Sequence, residues 1–173
     1  YRYRQWRVEH GRSWWWRSYF QVFLLQGTLL CVISAPLAAV HYGAEGRLGA
    51  QDWVALGLWA VGFAFEAIGD LQLARFKANP DNKGRVLDQG LWRYTRHPNY
   101  FGDALQWWAY YLITAATGGW WTLFSPVLMT VLLVRVSGAA LLERTLTETR
   151  LQYRAYVEST SAFFPWFPRE RAD

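Results

Sequence analysis

Between Asn82 and Asp103 the chain reads NKGRVLDQGLWRYTRHPNYFGD, which holds Lys83, Arg85, Arg93, Arg96, His97 and Asn99 within eighteen residues of one another. Ammonium and guanidinium groups neutralise phosphate oxygens, and arginine does so through a bidentate fork. Asparagine and aspartate side chains hold an amide or a ribose hydroxyl. Two acid-bearing pairs flank this stretch. Glu66 and Asp70 stand four apart, as do Asn99 and Asp103, with Gln106 a further turn along. A spacing of four puts each pair on one face of a helix. Basic groups, amides and a rich supply of aromatics together fit an anionic dinucleotide or another adenosine cofactor held against a greasy substrate.

Other chemistries find no support. The single Cys31 excludes an internal disulfide and a multi-cysteine zinc site. His10, His41 and His97 offer no close ligand pair, so no metal site is expected. The sequence contains no P-loop, no Gly-x-Ser-x-Gly and no His-Glu-x-x-His. The glycines at 43, 46 and 49 follow no strand and do not make a dinucleotide fingerprint, so they predict a turn. A net charge of +5 raises the question of nucleic acid. The basic residues alternate with apolar stretches instead of forming one stripe, which argues against it.

The elements that must position these groups are helices. Hydrophobic residues make up 53% of the chain and aromatics 18%, with 12 Trp, while mean hydropathy stays near zero. That combination is expected where Trp, Tyr and Arg gather at a membrane interface. The fold class is therefore all-α, a polytopic integral membrane bundle of four transmembrane helices with an amphipathic helix toward the C-terminus. The spans are placed near 19–40, 53–73, 98–116 and 120–142, with a loop at 75–97. The uncharged stretch 19–40 meets the ~20 residues needed to cross hydrocarbon. Pro98 opens the third span at a position suited to a first helical turn. Lys and Arg number five before the first span, one in the loop 41–50, six in 75–97, none in 117–119 and six from Arg135 onward. This alternation places the loop 75–97 on the cytoplasmic side of a multi-pass protein, in the inner membrane if the source is bacterial. Acids inside a span mark function by default, and Arg135 is a candidate partner for Glu66 or Asp70. The residues 1–173 are expected to form a single membrane domain, the C-terminal part of a longer protein.

The segment GLWRYTRHPNYFGD resembles the DUF1295 branch of the steroid 5-alpha-reductase superfamily. The likeness extends to Asp70, FKANPDNKGR, LLERTL and YRAYVESTSAFFPWFP, and so over essentially the whole chain. It implies a whole protein of about seven spans, NADPH as cofactor, a hydrophobic steroid-like or lipid substrate beside it, and hydride transfer to the beta carbon of an enone. Membrane lipids are the other implied partners. Asp70, Asn99 and Asp103 match family positions that hold the cofactor. Arg96, His97 and Tyr100 belong to the same motif and are expected close to it. Lys77, Asn82, Lys83 and Arg85 are expected at its phosphates or adenosine. Glu143, Arg144, Tyr153 and Tyr156 are expected to close over it. The groups that polarise the carbonyl are expected on spans before this stretch, so no catalytic residue is assigned. Related segments occur in isoprenylcysteine-type methyltransferases, which use S-adenosylmethionine. A non-catalytic sterol-binding membrane protein is a third reading. Asn99 followed by Gly102 and Asp103 favours the reductase.

Overall fold

The structure is a computed structural model and describes residues 2–43, 48–136 and 151–169. Among these every regular element is helical. Helices α1 (Arg2–His10), α2 (Trp14–Ser18) and α3 (Leu25–Ile33) follow one another through short 3₁₀ and π turns, and α4 (Ala35–Tyr42) continues after a bend of 44°. The sequence places the bend: Pro36 has no N–H to give the preceding turn. Neighbouring helices take up carbonyls there. Ser125 Oγ donates to the Ile33 carbonyl, and Thr114 Oγ1 donates to that of Pro36 at 3.0 Å.

The longest element is α5 (Ala50–Ala78). At its start the Asp52 carboxylate accepts the Gly49 N–H at 2.7 Å, satisfying one donor at the helix N-terminus. At its far end the chain turns out at Asn79–Pro80, where Asn79 Oδ1 accepts the Asp81 N–H at 3.0 Å. The stretch 53–73 foreseen as a span is thus longer at both ends, and the loop begins beyond Ala78 instead of at Arg75. Phe76, Lys77 and Ala78 carry no breaker, so the helix runs on until Pro80 stops it.

Helix α6 (Pro98–Ala116) opens on Pro98 as its sequence predicts and packs antiparallel along α5. Glycines make the contact close. A Cβ on Gly62 would lie 2.7 Å from the Gly102 carbonyl oxygen, and one on Gly69 would lie 3.2 Å from the Asn99 nitrogen. Small residues at matching positions let two backbones approach until side chains on either flank can bridge them. After the tight turn at Thr117–Gly119, α7 (Phe124–Val131) packs on α6 and α3. The last described helix is α8 (Leu151–Ser159), followed by an extended strap to Arg169.

Four separate spans do not emerge from helix length and hydropathy. Among the described residues α5 alone is long and apolar enough to cross a membrane, and the bent pair ending at Tyr42 qualifies if counted as one span. The apolar run Trp120–Arg135 is shorter, and polar residues in α6 lower its hydropathy. Glu66 accepts a hydrogen bond from Gln106 and Asp70 accepts one from Asn99, while Arg135 is exposed in the π turn Leu132–Val136.

Candidate cofactor site

The end of the α5–α6 pair opens into a cavity of about 660 Å³, walled by the end of α5, the 79–97 connection, the start of α6 and α8. Ten residues singled out from sequence line it: Lys77, Asn82, Lys83, Arg85, Arg96, His97, Asn99, Tyr100, Tyr153 and Tyr156. Asp70 stands just behind, bonded to Asn99. Asp103 lies one turn further along α6 and does not line the cavity. Glu143 and Arg144 lie outside the described residues.

The wall divides by chemistry. Leu73, Phe76, Val86, Leu87 and Trp92 make an apolar surface, and Lys77, Lys83 and Arg85 are exposed cations at its edge. No carboxylate lines the cavity among the described residues. The turn that presents Lys83 and Arg85 together depends on Gly84, whose φ of +91° is left-handed. There the Arg85 N–H returns to the Asn82 carbonyl at 3.0 Å. A side chain at position 84 would strain that conformation.

At the head of α6, Asn99 Nδ2 donates to Asp70 Oδ1 at 2.9 Å. An ionised carboxylate only accepts, so Asp70 fixes which way the amide faces. The other end, Asn99 Oδ1, is buried and has no partner. Among the described residues only one other buried side-chain polar atom, Arg17 Nε, shares that condition. An unpaired buried acceptor costs on the order of 1–3 kcal/mol. Asn99 is among the residues that line the cavity, and this oxygen is enclosed beside it. Next to it the His97 and Tyr100 rings stack at 5.3 Å and 8°.

Two foreseen contacts have structural duties. The buried Arg96 sends Nη1 to the carbonyls of Val157 at 2.7 Å and Thr160 at 3.2 Å. Its charge therefore sits at the C-terminus of α8, where carbonyl dipoles favour a cation. Asn82 Nδ2 donates to the Phe76 carbonyl at 3.0 Å and caps α5. Both side chains border the cavity while bonded to the frame.

Sequence reasoning passed over the residues that hold the connection in place. Trp92 is buried, and its indole N–H donates to the Gly69 carbonyl at 3.1 Å. Its own carbonyl accepts the Tyr156 hydroxyl at 2.5 Å. Gln72 Oε1 accepts the Leu91 N–H at 3.0 Å. The signal for Gln72 was a lone amide two residues after Asp70 in an apolar stretch. The strap then laces back over the motif. Arg96 N–H donates to the Ser161 carbonyl at 2.9 Å, Thr95 Oγ1 to that of Phe163 at 2.9 Å, and Trp166 N–H to that of Tyr94 at 2.9 Å.

Comparison with known proteins places this arrangement. An uncharacterized protein of Schizosaccharomyces pombe is 29% identical over 169 residues, covering 85% of this chain and 48% of its own length. A probable O-methyltransferase of Ustilaginoidea virens is 36% identical over 73 residues, 41% of this chain and 26% of its own. A Delta(14)-sterol reductase of Neurospora crassa is 31% identical over 86 residues, 42% of this chain and 18% of its own. The chain thus spans less than half the length of these curated relatives. No solved structure matches it. The profile of a protein family of unknown function, DUF1295, matches residues 1–160, and the two enzyme relatives are consistent with the steroid 5-alpha-reductase-like superfamily. The chain belongs to the DUF1295 family.

Proposed function

We propose that this chain is the cofactor-holding part of an integral membrane reductase that uses NADPH to reduce a steroid-like or other lipid enone. The observation that carries this is the cavity at the head of α6: cations at its edge, an apolar wall, and an unpartnered buried acceptor on Asn99. When bound, NADPH supplies a hydride to the beta carbon of an α,β-unsaturated ketone, the alpha carbon takes a proton drawn from water, and NADP⁺ and the saturated ketone leave. The residues described here bind and orient. Lys77, Lys83 and Arg85 neutralise phosphate oxygens. Asn99 Oδ1, aimed by Asp70, accepts from a carboxamide or ribose hydroxyl. Trp92, Tyr153 and Tyr156 exclude water from the inner wall, and Tyr100 and His97 close its α6 side. Lipid-soluble substrate would arrive through the bilayer. That reading is supported by α5, whose Trp53, Leu56, Phe63, Ile68 and Leu71 are all exposed. An apolar helix in water would bury such residues, whereas one in lipid has no need to. The connection 79–97 then faces the cytoplasm, where the cofactor pool lies.

The O-methyltransferase relative favours a second reading, with S-adenosylmethionine in the same cavity. Its sulfonium is a cation, and a cavity edged by Lys77, Lys83 and Arg85 with no lining carboxylate disfavours it on electrostatic grounds. Thermal unfolding of the full-length protein in detergent separates the two, because a ligand bound only by the native state raises apparent stability. Stabilisation by NADPH and not by S-adenosylmethionine is expected. The reverse pattern would overturn the reductase reading, and no shift with either would point to a protein that binds sterol without turnover.

A further inference from the structure

Behind the Trp92–Tyr156 wall lies a second cavity of about 480 Å³, bordered by Asp88, Gln89, Arg93, Ser159, Thr160 and Arg169. Tyr156 borders both cavities. Its hydroxyl, bonded to the Trp92 carbonyl, belongs to the partition between them. Among the described residues that border it, Asp88 supplies the one carboxylate, and Arg93 and Arg169 are exposed. The two come from distant parts of the chain. Arg93 ends the 3₁₀ turn Gly90–Arg93, and Arg169 ends the strap. The Arg169 N–H is tied to the Ser159 carbonyl at 2.8 Å, which fixes its backbone beside the cavity.

The same strap carries three aromatics that the fold leaves outside. Phe164 is 70% exposed, Trp166 72% and Phe167 76%. They are held there by a laced backbone, since the neighbouring Trp166 N–H and Phe163 carbonyl are both bonded to the motif. Indole and phenyl rings fixed on a firm backbone beside paired arginines match the depth profile of a bilayer surface. The rings enter the headgroup–acyl boundary, and the guanidinium groups meet phosphate just above it. Basic side chains near an anionic leaflet are drawn to it.

We propose that the Arg93–Arg169 cavity is a binding site for the phosphate of an anionic glycerophospholipid headgroup, with Phe164, Trp166 and Phe167 inserted beside it in the same leaflet. This site is distinct from the cofactor cavity and does not depend on the reductase reading. The headgroup phosphate accepts from both guanidinium groups, and its acyl chains lie along the strap aromatics.

The test uses the full-length protein in nanodiscs of phosphatidylcholine alone or with about one-third phosphatidylglycerol, with retained lipid counted by native mass spectrometry. The wild type is expected to retain phosphatidylglycerol selectively. The double variant R93Q/R169Q should lose about tenfold in that selectivity, while R93K/R169K keeps most of it because the charge remains. Helicity by circular dichroism should be the same in all variants. Equal retention of both lipids by the wild type, or by R93Q/R169Q and the wild type, would overturn the proposal. So would stabilisation by inorganic phosphate that R93Q/R169Q abolishes without any lipid preference, which would make the cavity a soluble-anion site. A loss of NADPH stabilisation in R93Q/R169Q with lipid retention intact would instead make it an extension of the cofactor cavity.

Discussion

Helices α5 and α6 are joined twice by the same kind of bond, a carboxylate on α5 accepting from an amide on α6. Deep in the pair, Glu66 Oε2 accepts from Gln106 Nε2 at 2.5 Å. One turn nearer the cavity, Asp70 Oδ1 accepts from Asn99 Nδ2 at 2.9 Å. The chemistry is alike and the setting differs. Gln106 is buried among close-packed helices and Glu66 is half-buried. Asp70 is exposed, and Asn99 keeps a buried acceptor with nothing to bond. A bond whose amide is wholly enclosed by the helix contact holds the helices. The second bond belongs to an amide that lines the cavity and keeps an unpaired acceptor, whereas Gln106 does not line it. The difference between helix glue and candidate binding group here is where along the pair the amide stands.

The contrast can be broken most severely at the glycines both bonds depend on. Gly62→Leu would drive a side chain into the Gly102 backbone, where even a Cβ lies 2.7 Å from the carbonyl oxygen. Forcing the helices apart should cost about 3 kcal/mol or more and disable both bridges together. Thermal unfolding in detergent should fall sharply and NADPH stabilisation should vanish with it. A variant of near-normal stability would mean that the close approach does not position the two pairs.

Removing Asn99 tests the binding half alone. Asn99→Ala deletes the free acceptor together with the Asp70 bond at an only half-buried position. NADPH affinity should fall about a hundredfold, equivalent to ~2.7 kcal/mol, with the unfolding temperature little changed. Glu66→Ala should show the inverse. It strands the buried Gln106 amide, which should cost about 1–3 kcal/mol of stability, while cofactor affinity holds. If Glu66→Ala weakened NADPH as strongly as Asn99→Ala, the division of labour between the two bridges would be wrong.

Much of this was legible in the residue spacing. Glu66 and Asp70 at four, and Asn99, Asp103 and Gln106 at four and three, predicted a polar stripe on each helix, while the partner foreseen for the acids was Arg135 and not the other stripe. The pairing across the stripes was not legible. It depends on which of Gly57, Gly62 and Gly69 meets Gly102, a matter of packing that periodicity does not encode. The role of Arg96 was hidden for a related reason. In sequence it is one more cation in a basic stretch. Only the fold brings the α8 carbonyls of Val157 and Thr160 to it, about sixty residues later. Helix length was misjudged at α5 because hydropathy fades at Arg75 and Lys77 while helix propensity does not. The cavity's cations, by contrast, were singled out through the family resemblance; Pro80 and Gly84 by themselves marked only an irregular segment after α5.

The smallest expected effect is also the most discriminating, since Asp70→Asn changes one atom type and no shape. In the native protein Asp70 offers acceptors only, so Asn99 must turn its Nδ2 toward it and its Oδ1 away from it. An asparagine at position 70 offers both a donor and an acceptor. Asn99 could then flip without losing its hydrogen bond, presenting Nδ2 to the cavity about as readily as Oδ1. A ligand donor would meet an acceptor in only part of the population, and binding to the rest would leave two donors facing one another. NADPH affinity should drop about tenfold, ~1.4 kcal/mol, with no loss of thermal stability because the helix-to-helix bond survives. The matching change in the deep pair, Glu66→Gln, should leave NADPH affinity where it was, since Gln106 is bonded within the helix contact and does not line the cavity. Equal NADPH affinity in Asp70→Asn and the wild type would show that amide orientation at Asn99 does not matter, and would reduce Asp70 to a second copy of Glu66.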